Sequence, residues 1–401
     1  MYGTLAILAG FVFLYSLSSR GLERTPVNGA IVFCAFGLIF GPLGFGYLTL
    51  DPSAETLRTL AELTLAVLLF ADAANANLGV LKGSVGIPRR LLVVGLPLTI
   101  ALGFGAGIVL FDGLTLFEIA IIATMLAPTD AALGKAVVTN PSVPEPIREG
   151  LNVESGLNDG ICVPILFLFL ALATKSGGDH SAAHLAVALL AEEIGIGLGV
   201  GIVLTAVATW LLKRCSGRGW LTESWRQLPV VTLAVACFAG AQSLGGSGFI
   251  AAFAGGLLFG RLAGEKKEGL LLSAEGTGDT LALITWVVFG SSVIGHSIES
   301  LTWEALLYAV LSLTAIRMLP VFLVLSGLGL RTKEKLFIGW FGPRGLASIV
   351  FAVIVLNEQL PGNSTIMVTA VCTIVLSVVG HGLSANPLVS RLFAKASQAR
   401  Q

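Results

Sequence analysis

Six ionisable side chains, Asp72, Asp130, Glu154, Asp159, Arg317 and Arg344, fall deep inside runs of apolar residues. A charge in such a setting is expensive and is by default a functional one. Counting at 1.5 Å per helical residue puts Asp159 about 16 Å beyond Arg148 and Asp130 about 18 Å from Glu118 on the preceding run, so the two carboxylates share a depth. The same counting sets Arg344 about 14 Å from Lys335, Arg317 about 20 Å from Glu304 and Asp72 about 21 Å from Arg58. Glu154 and Asn158 are four residues apart, as are Ser155 and Asp159, which lays two adjacent polar stripes along one helix. If each arginine neutralises one acid, about two carboxylates remain, able to hold a bare monovalent cation or protons but not both sets at once. Asp72, Glu154 and the two arginines would serve equally well as static ion pairs that fix helix packing. A merely static role is least expected of Asp159.

The elements that must position these groups are membrane helices. Of 401 residues 55% are apolar and 12% charged, against about 25% charged in a soluble domain. Apolar runs of about 20 residues recur from end to end, and thirteen spans are expected, centred near Gly10, Gly37, Val67, Gly103, Met125, Val163, Gly199, Ala236, Gly255, Thr285, Ser312, Ser348 and Ile374. The fold class is thus an all-α integral membrane protein, with residues 1–401 forming a single membrane domain and no length left for a soluble catalytic one. The first run has no cationic region before it and reads as a retained span, not a cleaved signal peptide. Of the 24 Lys and Arg residues, 20 fall in the odd-numbered joints and the C-terminal tail, while Arg58 and Lys175 alone fall in the even joints and Arg317 and Arg344 lie within spans. The positive-inside rule then puts the N-terminus outside and the C-terminus in the cytoplasm.

Two spans are interrupted at mid-membrane, the fifth by Pro128 in Ala127-Pro128-Thr129-Asp130 and the twelfth by Pro343 in Phe341-Gly342-Pro343-Arg344-Gly345. Five and twelve differ by an odd number. Residues of about 3–174 and 226–383 therefore read as repeats of opposite topology, with a connector helix near 184–212 and a short tail at 391–401. Asp130 is placed to offset positive half-helix ends and Arg344 negative ones.

With these residues in view, the chain resembles the monovalent cation:proton antiporters, in the branch of NhaP and the sodium/proton exchangers. The resemblance covers nearly the whole chain and is most specific at Ala127–Asp130, at the run Asn152-Val153-Glu154-Ser155-Gly156-Leu157-Asn158-Asp159-Gly160, at Gly246–Phe253 and at Arg344-Gly345. It implies that Asp159 binds ion and proton in turn, with Thr129, Ser155 and, often through water, Glu154 completing the shell. It implies supporting parts for Asn158, Arg344, Arg317 and Asp72, with Asn158 and Arg344 holding Glu154 or Asp72, and a structural and electrostatic part for Asp130. The Asn158-Asp159 pair resembles that of the electroneutral branch, which implies one proton per cation. A homodimer in the plasma membrane, an elevator-like motion of a six-helix core, Na+ (or Li+ or K+) and H+ as cargo and no cofactor follow from the same likeness. Two departures stand out: Ala131 follows Asp130 where many relatives have proline, and Asp72 stands where some have glutamate.

Rival readings are weaker. An organic-anion or bile-acid-type symporter would share crossed broken helices but needs a larger, less acidic pocket. Gly276-Thr277-Gly278-Asp279 spells the string of intramembrane aspartyl proteases, yet a second aspartate at its depth is missing. Of His180, His184, His296 and His381, three lie in extracellular joints and read as solvated residues. Glycines at 195, 197, 199 and 201 give a small-residue face whose partner, within the protomer or across a dimer, is left open. Lipid and a second copy are the expected partners, and nucleic acid is not one.

Overall fold

The structure, a computed structural model, describes residues 2–22, 25, 27–48, 54–76, 86–130, 132–175, 180–222, 224–264, 267–298 and 300–398. Arg24, Lys82, Lys266 and Arg400, which entered the charge count, and Ala131 lie outside them. Among the described residues every regular element is helical, and each of the thirteen expected centres falls within a helix. Six helices are long and apolar enough to cross a membrane: Tyr2–Ser19, Ile87–Leu110, Glu145–Thr174, Ala188–Gly217, Trp303–Val324 and Asn363–Phe393. Shorter apolar helices accompany them at Gly29–Phe40, Leu116–Met125, Gly248–Ala263 and Leu346–Asn357. A helix of ten residues covers about 15 Å, half the hydrocarbon thickness. Leu116–Met125 and Leu346–Asn357 are the expected interrupted spans, and each ends or begins at a proline-bearing break. The protein is a multi-pass membrane protein built of helices.

The chain forms two compact units, one of Met1–Leu57, Gly79–Ser155 and Leu283–Gln401, the other of Arg58–Leu78 and Gly156–Ala282. The first contains both breaks. Its apolar seat gathers Val137, Ile147 and Leu151 with Val321, Phe337, Phe341, Val389 and Phe393. Phe337 packs on Phe341 with ring centroids 4.6 Å apart and edge-on against Phe393 at 5.0 Å. Buried aromatic and branched side chains of this kind fix the short helices that flank a break, which are too short to hold their shape alone.

In the second unit close helix packing rests on glycine. A Cβ at Gly256 would collide with the Phe70 carbonyl, and one at Gly201 with the Ala251 carbonyl, while one at Gly197 would come within 2.6 Å of the Ser247 carbonyl. Two of the four glycines of the small-residue face thus pack within the protomer, against Gly248–Ala263 and its N-cap; Gly195 and Gly199 face open space. The alternation follows from helical spacing, since residues four apart share a face and residues two apart do not.

Candidate ion site

The two breaks are bonded to each other. Leu116–Met125 ends before Pro128, and the next described helix is Lys135–Val138; Thr332–Trp340 ends before Pro343, and helix resumes at Leu346–Asn357. Proline removes a donor and clashes with the preceding turn, so backbone groups on both sides need other partners. The Asp130 N–H donates to the Pro343 carbonyl at 2.8 Å. Asp130 Oδ2 accepts from Leu346 N at 2.9 Å, and Oδ1 accepts from Ala132 N and Leu133 N at 2.8 and 3.3 Å. One carboxylate therefore caps the positive end of Leu346–Asn357 and ties down its own loop. Gly345, the residue before that helix, leaves no room for a Cβ beside Asp130 Oδ2. Ser348 Oγ donates to the Met125 carbonyl at 2.9 Å, and Ser155 Oγ to the Thr129 carbonyl at 2.6 Å. Both carbonyls lie at the end of the broken Leu116–Met125 helix or just past it, and both are buried.

Glu154 and Arg317 form a two-pronged ion pair, Nη1 to Oε1 at 2.6 Å and Nη2 to Oε2 at 2.8 Å, each side chain only 1% exposed. Asn158 and Arg344 were expected to hold Glu154 or Asp72; for Glu154 the partner is instead Arg317. Arg317 enters just after a third discontinuity, at Thr314 between Trp303–Leu313 and Ala315–Val324, where its planar fork meets both carboxylate oxygens. Arg344 serves its own break: its N–H donates to Ser377 Oγ at 2.6 Å and its Nη1 to the Gly342 carbonyl at 3.0 Å. A guanidinium beside a freed carbonyl offsets the negative end of a half-helix.

Between the breaks lies a small cavity of about 10 Å³ lined by Thr129, Asp130, Gly134, Val137, Val138, Leu151, Ser155, Phe341 and Pro343. That is room for about one water or one dehydrated ion. The polar side chains of its lining are those of Thr129, Asp130 and Ser155. Ser155 and Asp159 both belong to the helix Glu145–Lys175, one turn apart, with Glu154 and Asn158 on the neighbouring stripe. Asp159 is half-buried, and Asn158 is buried. Asp72, on Ala54–Asn75, is exposed, and its carbonyl lies within 3.4 Å of where a Cβ at Gly156 would stand.

Other polar residues matter that the sequence did not single out. Glu118, from which the depth of Asp130 was counted, is 1% exposed. It completes a capping box with Thr115 and accepts from Gly362 N at 2.6 Å, so it joins the start of one broken span to the start of Asn363–Gln398. The spacing Thr115-x-x-Glu118 ahead of an apolar run was the available signal. Ser348, Ser377 and His381 carried no such mark.

Comparison with known proteins agrees with this architecture. The K(+)/H(+) antiporter NhaP2 of Shewanella oneidensis is 22% identical over 363 residues, covering 90% of this chain and 62% of the relative. The chain therefore spans less than two thirds of that protein's length. A Na(+)/H(+) antiporter of Schizosaccharomyces pombe is 24% identical over 432 residues, with 96% of this chain and 89% of the relative covered. Among solved structures, the sodium proton antiporter MjNhaP1 of Methanocaldococcus jannaschii at pH 8 superposes with a TM-score of 0.76 at 21% identity, over 94% of this chain and 98% of that one. The family model for the transmembrane part of the sodium/hydrogen exchangers matches residues 8–391. With that match spanning both breaks, the buried Glu154–Arg317 pair and the cavity, the chain belongs to the sodium/hydrogen exchanger family.

Proposed function

We propose that this protein exchanges a monovalent cation for a proton across the plasma membrane, and that Asp159 is the carboxylate that holds one or the other. The observation that carries the reading is the commitment of its neighbours. Glu154 spends both oxygens on Arg317, and Asp130 spends its oxygens on backbone amides of the breaks. Neither can exchange its partner for a cation without dismantling the frame, and Asp159 stands one turn beyond Ser155, whose hydroxyl is bonded to the Thr129 carbonyl of the unwound stretch. Thr129 and Ser155 supply neutral oxygens to the ion, and Glu154 reaches it only through water. The supporting parts go to Asn158 and Asp72, to Arg317 through Glu154, and to Arg344 through the unwound segment.

The finer properties follow from the same proposal. Asn158 before Asp159, with Asp130 at that depth held by backbone amides, supports one proton per cation and electroneutral exchange. The motion is elevator-like and carries the crossed breaks as one body, in two inverted repeats, with the N-terminus outside, the C-terminus in the cytoplasm and a homodimer as the assembly. The cation is Na+, K+ or Li+. Relatives named for sodium and for potassium both match, so selectivity belongs to the experiment. The symporter alternative is disfavoured by a cavity of about 10 Å³, far below the roughly 300 Å³ of sites for organic ligands.

The test is proteoliposomes loaded with a pH-sensitive dye, challenged with Na+, K+ or Li+ with and without an imposed voltage. Cation-driven proton flux that ignores voltage and vanishes in Asp159→Asn supports the proposal. Flux that survives Asp159→Asn refutes the assignment of that residue.

A further inference from the structure

Two backbone groups frame the unwound segment 341–345, the Trp340 carbonyl at the close of Thr332–Trp340, which also accepts from Gly342 N at 2.8 Å, and the Arg344 N–H just before Leu346–Asn357. One pair of side chains, Ser377 and His381, four apart on Asn363–Gln398, takes up both. Arg344 N donates to Ser377 Oγ at 2.6 Å; Ser377 Oγ lies 3.2 Å from His381 Nδ1; His381 Nε2 lies 2.7 Å from the Trp340 carbonyl. Ser377, His381 and Arg344 are all buried. The imidazole also lies against the Trp340 indole, centroids 4.9 Å apart, and the indole N–H donates to Ser384 Oγ at 2.9 Å, three residues further along the same helix.

In one arrangement every hydrogen finds an acceptor, although it leaves a bare Nδ1 2.9 Å from the Ser377 carbonyl. A backbone N–H only donates, so Ser377 Oγ accepts from Arg344. The serine's own hydrogen then goes to its other partner, Nδ1, which must be bare. A carbonyl only accepts, so Nε2 carries the ring's hydrogen and donates it to Trp340. Nδ1 also lies 2.9 Å from the Ser377 carbonyl, the helical acceptor of the His381 amide. A hydrogen on Nδ1 directed there would leave the serine hydrogen without a partner and, in the neutral ring, set two acceptors 2.7 Å apart at Trp340.

We infer that Ser377 and His381 are positioning residues that form a clasp across the break, with His381 held as the neutral tautomer protonated at Nε2, and that the clasp fixes where Arg344 and the unwound segment stand during transport. The tautomer stands on the geometry alone; the effect on transport rests on the antiporter reading.

The experiment has two arms on the full chain in lipid. With histidine-selective ¹⁵N labelling, the ring whose signals vanish in His381→Gln should show a protonated Nε2 and a bare Nδ1. In the flux assay, Ser377→Ala and His381→Ala should each lower turnover about tenfold while the cation KM stays within about twofold, and the double variant should be no slower than the slower single one. Ser377→Thr, which keeps the hydroxyl, and His381→Gln, which keeps an N–H able to reach Trp340, should recover much of the rate. An imidazolium or Nδ1-protonated spectrum, or losses that simply add, overturns the clasp. Absence of flux in the unaltered chain would overturn the antiporter reading instead, with the spectrum still deciding the clasp.

Discussion

Removing one member of the Glu154–Arg317 pair strands the other as a buried charge, at a cost of about 3–5 kcal/mol. Glu154→Gln and Arg317→Met should therefore each lower the thermal unfolding midpoint in detergent sharply. The double variant Glu154→Gln/Arg317→Met should recover most of the loss, because no uncompensated charge remains. A double variant as unstable as the worse single one would show that the pair acts as more than mutual neutralisation. Asp159→Asn should behave differently, abolishing exchange while leaving the unfolding midpoint near that of the parent. Which of the two arginines meets Glu154 was not legible beforehand, for a definite reason. Residue counting fixes height along a helix but not azimuth, and Glu154 and Arg317 are 163 positions apart. Depth made both arginines equal candidates, and only the discontinuity at Thr314 turned Arg317 to the acid.

At the scale of elements, the breaks were legible because each apolar run is interrupted by a proline with a charged residue one or two positions on, Pro128 with Asp130 and Pro343 with Arg344. What they bond to was not. Asp130 as the cap of Leu346–Asn357 predicts that Asp130→Asn, which keeps the shape and loses the charge, weakens that helix end by about 0.3–1 kcal/mol. Gly345→Ala should be far worse than its small size suggests, since its Cβ falls on the Asp130 carboxylate. Unfolding midpoints of the two variants, ranked against Gly195→Ala in open space, check the order. The π-helical turns Leu91–Gly95 and Phe289–Val293 escaped the sequence reading altogether. Each widens a continuous helix by a single turn, and the apolar pattern around it barely changes.

For the whole molecule, span centres were readable since lipid demands long apolar helices, whereas the number of full crossings was less so, because short helices such as Leu116–Met125 share a crossing with an unwound segment. The lopsided distribution of Lys and Arg predicts sidedness directly. In right-side-out vesicles, a cysteine placed at Lys175 should react with an impermeant maleimide, and one at Arg226 should react only after the membrane is permeabilised. The reverse pattern would invert the topology.

The bond from Asp130 N to the Pro343 carbonyl, with the return bond from Leu346 N to Asp130, makes the two interrupted stretches a single inherited unit. Replacement of 126–134 by the matching stretch of a distant relative leaves 341–345 facing a stranger. Chimeras that import both stretches together should express and function where those importing either alone do not, and substitutions at one crossing should be tolerated or rejected according to what stands at the other.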